Sequence, residues 1–355
     1  MSELGKIDRG FFDEYVYPHL GAERDDVVLE PQHGVDFGAM SVGDRVVAMA
    51  TDPVFVMPSL GFERAAWFAF HILFSDVAVS GLEPSHLSVD FNLPPEITDE
   101  EFATIWRTFD REAEELGVSI LTGHTARYAG CNYPMVGGAT SIAIGDPADL
   151  VRPDGARPGD RVVITKGPAV EATGLLAIQF EELLADDLDP ADLAAATDRF
   201  TDMSPVQDAL VVADAADGGV NAMHDATEGG VYGGLHELAH SGGVRIDVER
   251  EAVPVLGGVE PVCDWFDIDP WISISEGTLL ASVDPASVED VLDALEREGI
   301  PAADVGAVSD GSGGDGSGSR SGVYFDGEPV DRPERDPFWA AFEAGLAASA
   351  EGEAS

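Results

Sequence analysis

Residues 223–231 read Met223-His224-Asp225-Ala226-Thr227-Glu228-Gly229-Gly230-Val231, and a helix is expected to follow over Val231–His240. The glycine pair stands at the start of that helix. Backbone N–H groups there, aided by the field of the helix end, can receive phosphate oxygens. The blander reading is a cap, in which His224-Asp225-Ala226-Thr227 satisfies the first N–H groups of the helix. The stretch matches neither the P-loop pattern nor a GxGxxG at a strand-to-helix turn. A nucleotide site built on it requires a less common fold.

Three other segments set a carboxylate beside glycine or at an element end. They are Gly34-Val35-Asp36-Phe37-Gly38-Ala39, Ala50-Thr51-Asp52-Pro53 where a strand is expected to end, and Phe74-Ser75-Asp76-Val77-Ala78 inside an apolar helix. Asp36 also fits an ordinary turn and Asp52 an ordinary strand exit. Asp76 is harder to explain that way, because Phe74, Val77 and Val79 surround it and an unpaired buried carboxylate costs several kcal/mol. A bound metal is a suitable partner, and Mg²⁺ typically takes one or two carboxylates plus substrate phosphates. A second glycine loop, Thr122-Gly123-His124-Thr125, is expected after a short strand Val118–Leu121. Lys6 and Lys166 are the only lysines, so Lys166 beside Gly167 reads either as a phosphate contact or as a surface lysine at a strand end.

Around these segments the chain divides near Asp154–Asp160, where Pro and Gly cluster. The N-terminal part, residues 1–155, carries expected strands Arg45–Ala50 and Val136–Ile144. Its expected helices are Ala65–Ser80, with Trp67, Phe70, Leu73 and Phe74 at helical spacing, and Asp99–Leu116, with a capping box at Thr98. The C-terminal part, residues 156–346, carries expected strands Arg161–Thr165, Val244–Val248 and Leu279–Val283, acidic Ala-rich helices between Ala169 and Ala216, and a last helix over Asp336–Leu346. Residues 310–322 read as a flexible Gly/Ser/Asp loop and 347–355 as a loose tail. The mixture of strands and helices in both parts gives an α+β or α/β class.

Composition narrows the function. Acidic residues number 67 against 19 Lys plus Arg, a formal net charge of -48 in 355 residues. Such a surface repels itself where the Debye length is about 10 Å and is screened where molar salt shortens it to about 3 Å. The acids are spread along the whole chain, which reads as adaptation to a salt-filled cytoplasm and not as a binding tail. Nucleic acid is disfavoured as a partner for want of basic patches. No run of about 18 apolar residues is present, so no membrane-spanning helix is expected. Cys131 and Cys263 lie far apart, with no metal-binding spacing.

The order Asp36, Thr51-Asp52, Ser75-Asp76, Gly123-His124-Thr125 and His224 to Gly230 resembles that of the AIR synthase-like, or PurM-like, superfamily over residues 30–285. The runs Met223–Val231, Val253-Pro254, Cys263, Ile268-Asp269-Pro270 and Ser275-Glu276-Gly277-Thr278-Leu279 resemble its hydrogenase-maturation (HypE) branch. The run Ile164–Thr173 resembles an archaeal AIR synthase-related branch. The resemblance implies a two-domain α+β fold, with a dimer-forming sheet in the first domain and an α/β sandwich in the second. It implies ATP with Mg²⁺, a homodimer and a small-molecule substrate that accepts a phosphoryl group. Asp36, Asp52 and Asp76 would hold the metal. Gly123 and Thr125 would line the nucleotide, and Asp225, Thr227, Gly229 and Gly230 would close the site from the second domain; His124, between Gly123 and Thr125, and Lys166, on its rarity and its glycine neighbour, are further candidates for it. Other members are thiamine-monophosphate kinases and AIR synthase ligases, and a non-catalytic nucleotide-binding regulator is a further possibility. Members of the HypE branch end in a cysteine that carries a carbamoyl group. Here the last residues read Ala-Glu-Gly-Glu-Ala-Ser, with no cysteine after Cys263, which speaks against the cyanide-forming reaction. Several relatives carry a carboxylate where His124 stands.

Overall fold

Strict alternation of apolar and polar residues builds the first of two sheets. The computed structural model describes residues 7, 9–311 and 321–353. Strands β1 (Val27–Leu29), β2 (Gly38–Val42), β3 (Arg45–Phe55), β4 (Pro84–Leu93), β5 (Ser119–Arg127) and β6 (Met135–Gly145) lie in the order β1-β2-β3-β6-β4-β5. Only β4 and β5 run parallel. In β4, Leu87, Val89, Phe91 and Leu93 are buried while Ser88, Asp90 and Asn92 between them are only partly covered. The buried side meets the helices Phe62–Ala78 and Asp99–Glu115, with Phe109 packed edge-on against both Phe70 and Phe91. The second of those helices opens with the expected capping box between Thr98 and Glu101.

The second sheet holds β7 (Arg161–Thr165), β8 (Val220–Asp225), β9 (Val244–Val248), β10 (Leu279–Val283), β11 (Ala302–Asp310), β12 (Gly322–Phe325) and β13 (Glu328–Val330). Their order is β13-β12-β9-β11-β7-β10-β8. The strands β8 and β10 are buried along their whole length, because helices cover both faces. One face, through Val163, Met223, Ala281 and Val283, joins the core of the first sheet in a single apolar cluster. The other, through Val162, Ile164, Ala222 and Leu280, packs under the helix Gly230–Gly242 in a second cluster. A polar link also crosses between the two parts of the chain. His71 of the Phe62–Ala78 helix holds Ser204 with Nδ1 at 2.9 Å and Glu112 with Nε2 at 3.2 Å.

Several expected boundaries move. The strand expected to end at Ala50 runs on through Asp52 and Pro53 to Phe55. Strand β2 pairs with β3 only as far as Met49, so Pro53 lies where β3 has one neighbour and its missing N–H costs no ladder bond on that side. Gly123-His124-Thr125, expected as a loop, lies inside β5. A Cβ on Gly123 would stand 2.4 Å from the Val89 carbonyl oxygen, so the glycine there permits close strand approach. The last helix, Phe338–Glu353, continues through most of the tail expected to be loose. The flexible loop expected at 310–322 falls mostly outside the described residues; Asp310 closes β11 and Gly322 opens β12.

Candidate functional site

The chain leaves β8 at Asp225 and turns into the Gly230–Gly242 helix through backbone that only glycine adopts readily. Gly229 has φ +83° and Gly230 φ +60°. A Cβ on Gly230 would stand 2.6 Å from the Ser273 oxygen and 2.8 Å from the Trp271 oxygen. The turn is pinned by Ala226 N–H to the Thr278 oxygen at 2.9 Å and by Gly230 N–H to the Thr227 oxygen at 3.0 Å. The Gly229 N–H donates to a carboxylate oxygen of Asp336 at 2.9 Å.

Immediately before the turn, His224 is 3% exposed and lies between two carboxylates. Its Nδ1 is 2.5 Å from Asp36 Oδ2 and its Nε2 is 2.9 Å from Glu237 Oε2. Two acceptors require two N–H donors, so the ring is an imidazolium. Burial alone would lower its pKa, but Asp36 and Glu237 outweigh burial and hold it well above the usual histidine value. Glu237 is engaged on its other oxygen by Arg332. Asp225 joins this group. Ligand atoms of Asp36, His224 and Asp225 lie within 4.8 Å of one another, the one such trio among the described residues.

A second knot of acids adjoins Asp225. Glu276 is 3% exposed and its Oε1 meets no hydrogen-bond donor. Its pKa is raised well above the carboxylate range, first by burial, then by the charges of Asp225 and Glu171. Asp52 adds to this, while Ser75 opposes it. The loop carrying Glu276 is fixed to the start of the Val170–Gln179 helix. Glu276 N–H donates to Glu171 at 3.1 Å, Thr278 Oγ1 donates to the Gly167 oxygen at 2.6 Å, and Val170 N–H donates to Ser275 Oγ at 3.2 Å. Gly277 is held against the 202–203 backbone, where a Cβ would stand 2.2 Å from the Asp202 oxygen. Asp52 of β3, Ser75 of the Phe62–Ala78 helix and Asp225 of β8 thus converge on one buried glutamate. Like charges held together in low dielectric are relieved by a cation. The donor set of carboxylate oxygens suits Mg²⁺.

The structure redistributes the sequence-derived candidates. Asp36 and Asp225 meet at His224, and Asp52 meets Asp225 at Glu276. Asp76 follows Ser75 on the same helix and is half-buried, outside the compact trio. Thr227, Gly229 and Gly230 form the turn itself. His124 is exposed on β5, paired across to Asp90 and bonded to the Tyr128 hydroxyl at 2.9 Å, with Gly123 and Thr125 flanking it. Lys166 differs from the expected phosphate contact. It is 5% exposed, forms an ion pair with Asp208 at 3.0 Å, and donates to the Asp202 and Ser204 oxygens at 3.1 and 2.9 Å. All three ammonium protons are thereby spent on the protein. Glu171, Glu237 and Glu276 were not singled out as site residues from sequence. Glu171 and Glu276 stand within the Ile164–Thr173 and Ser275–Leu279 runs that carry the resemblance, whereas Glu237 sits at an ordinary helix position with no local mark.

Comparison with known proteins places the chain. Residues 34–144 match the N-terminal domain of AIR synthase related proteins, and residues 157–318 match their C-terminal domain. Carbamoyl dehydratase HypE of Rhizobium leguminosarum bv. viciae is 30% identical over 282 residues, 78% of this chain and 77% of that one. A crystal structure of hydrogenase maturation protein HypE in complex with ATP superposes with TM-score 0.65 at 24% identity, covering 93% of each chain. Thiamine monophosphate kinase from Aquifex aeolicus superposes with TM-score 0.63 at 19% identity, covering 83% of this chain and 92% of that one. The two structural matches bear on the fold alone. The chain belongs to the AIR synthase related, PurM-like superfamily and has its two-domain α+β fold.

Proposed function

We propose that this member of the AIR synthase related superfamily is an ATP- and Mg²⁺-dependent enzyme that transfers the terminal phosphoryl group of ATP to a small acceptor. The observation that carries the reading is the convergence of Asp52, Asp225 and Glu171 on buried Glu276, one of whose oxygens is unbonded, on a loop tied through Thr278 to the turn that ends in a glycine pair. An apolar core gains nothing from so many like charges, and removing them from water is costly. They are explained by a cationic ligand. The similarity to a HypE described in complex with ATP and to a phosphate-transferring kinase supports nucleotide as that ligand's carrier.

Asp36, Asp225 and Asp52 are the residues that would hold Mg²⁺, and Asp76, next to Ser75 on its helix, is a further candidate. The ion would neutralise phosphate charge as it develops. The protein's own part is positioning and charge placement. The glycine turn presents backbone, and the His224 imidazolium fixes Asp36 and Glu237 while adding positive charge to an acidic centre. In the transfer, the acceptor oxygen bonds to the terminal phosphorus, the bond from that phosphorus to the ADP oxygen breaks, and the acceptor proton leaves. That proton passes to solvent, because burial and the acidic neighbours of Glu276 already favour its protonated form.

The likeness to a carbamoyl dehydratase supports a carbamoyl-type oxygen as one acceptor class, and that to a thiamine monophosphate kinase supports a phosphate oxygen as another. A homodimer through the first sheet is supported by β5, an edge strand exposed along most of its length, and by Leu121, Met135 and Ile144, large apolar residues exposed on that sheet. Among the described residues no helix is long and apolar enough to cross a membrane. The net charge of -48 supports work in a salt-rich cytoplasm. The test is an ADP-release assay at molar KCl with MgATP and a panel of carbamoyl and phosphate acceptors. Acceptor-dependent ADP supports transfer. Tight ATP binding with no ADP from any acceptor would replace it with a regulatory role.

A further inference from the structure

The glycine turn is not open to solvent on its helix side. Residues 330–338 lie across it. His236 Nε2 bonds the Val330 oxygen at 2.9 Å, and Arg332 holds Glu237. The Pro333 ring stands within 3.8 Å of where a Gly229 Cβ would be. Asp336 then places one carboxylate oxygen 2.9 Å from the Gly229 N–H and the other 2.9 Å from the Phe338 N–H, and the Ile274 backbone N–H reaches it as well. Phe338 is fully buried and anchors the segment. Asp331, Arg332, Glu334 and Arg335 are exposed. Between Val330 and Phe338 the segment therefore buries little apolar surface, and polar contacts hold it down. A carboxylate on backbone N–H groups beside a helix N-terminus occupies the position and supplies the charge that a phosphate oxygen would.

We propose that residues 331–337 form a strap that closes the glycine turn, with the Asp336 carboxylate standing in for the phosphate of a nucleotide. Bound nucleotide and the closed strap then exclude each other, and ligand entry lifts the segment about its Phe338 anchor. This rests on the ATP reading above. It is favoured by the poor bargain the carboxylate makes. Burial first, and the neighbouring Glu228 charge after it, raise its pKa to about 6 despite the three N–H donors, so the closed contact is easily given up.

The experiment measures MgATP affinity by calorimetry at molar KCl for the full chain and for Asp336→Ala. It also follows amide hydrogen exchange of residues 331–342 in the unaltered chain with and without MgATP. Competition requires tighter binding by the variant, about fivefold or more, because the closed state no longer taxes the affinity. It also requires faster exchange of the strap when MgATP is bound. Binding by the variant alone carries the same meaning. Equal affinities, or an exchange rate that falls on binding, would overturn the strap and leave the ATP reading standing. Binding by neither protein removes the ATP reading and the strap with it. If Asp336→Ala does not fold, the exchange measurement on the unaltered chain decides alone.

Discussion

His224 Nδ1 lies 2.5 Å from Asp36 Oδ2, a contact between residues 188 apart in sequence that joins the first glycine-flanked aspartate to the end of β8. With Glu237 on the other ring nitrogen, the imidazolium bridges two largely buried carboxylates, of which Glu237 also holds Arg332. His224→Ala removes it. The expected cost is about 3–5 kcal/mol, the range for breaking a buried ion pair on one side. Thermal unfolding at fixed KCl measures it. A loss under about 1 kcal/mol would show that the pair adds little.

The same contact has a pH signature. Its pKa in the fold is raised, so its stabilisation is complete below the unfolded histidine value of about 6.5 and is lost as pH rises through the higher folded value. The stability difference between the unaltered chain and His224→Asn should therefore shrink as pH is raised through the alkaline range. A difference that grows with pH would reverse the assignment of charge.

Lys166→Met separates a structural lysine from a phosphate-binding one. Asp208 is 1% exposed and would lose its cation, for an expected cost of about 3–5 kcal/mol. MgATP affinity of the folded variant should stay within about twofold, under 0.5 kcal/mol. A tenfold loss of affinity in a variant that keeps its stability would return Lys166 to the phosphates.

These residues show what the sequence makes legible. The helix starting at Asp99 was plain because its cap residues and apolar spacing are local. Asp225 and the glycine pair were plain because the turn needs them side by side. Strand β4 was not among the expected strands, although Leu87, Val89, Phe91 and Leu93 alternate there with polar residues. The partners of Asp36 could not be read, because no local pattern links a residue before β2 to one at the end of β8. The partner of Lys166 is hidden in the sequence for a related reason. Rarity and a neighbouring glycine suggested a ligand contact, while its true partner, Asp208, lies 42 positions further on in a helix.

Asp336 gives a second pH test. Its carboxyl titrates at about 6 in the fold against about 3.9 unfolded, so the contribution it makes is full below the lower value and is lost as pH rises through about 6. Asp336→Asn, which cannot ionise, should therefore gain stability relative to the unaltered chain between pH 5 and pH 7.5, read as the difference in thermal midpoint. A constant difference across that range would place the carboxyl outside the buried nest.

Gly230→Ala tests the turn. The left-handed backbone costs a non-glycine residue about 1–2 kcal/mol, and the new Cβ would press on the Ser273 and Trp271 oxygens. Unfolding should move down by more than 1 kcal/mol, with MgATP affinity reduced beyond what the lost folded fraction explains. An unchanged affinity in the folded variant would detach the turn from the ligand.

The most direct test of the acidic centre is MgATP binding by calorimetry at molar KCl, with and without Mg²⁺, for the unaltered chain and Asp225→Asn. Asp225 belongs both to the trio at His224 and to the acids around Glu276. The expected result is saturable, Mg²⁺-dependent binding that the variant loses by at least about tenfold, or 1.4 kcal/mol, while its melting temperature without ligand stays equal or rises as repulsion with Glu276 is relieved. Binding that ignores both Mg²⁺ and the substitution, or no binding at all, would contradict the assignment of these carboxylates to a nucleotide–metal site.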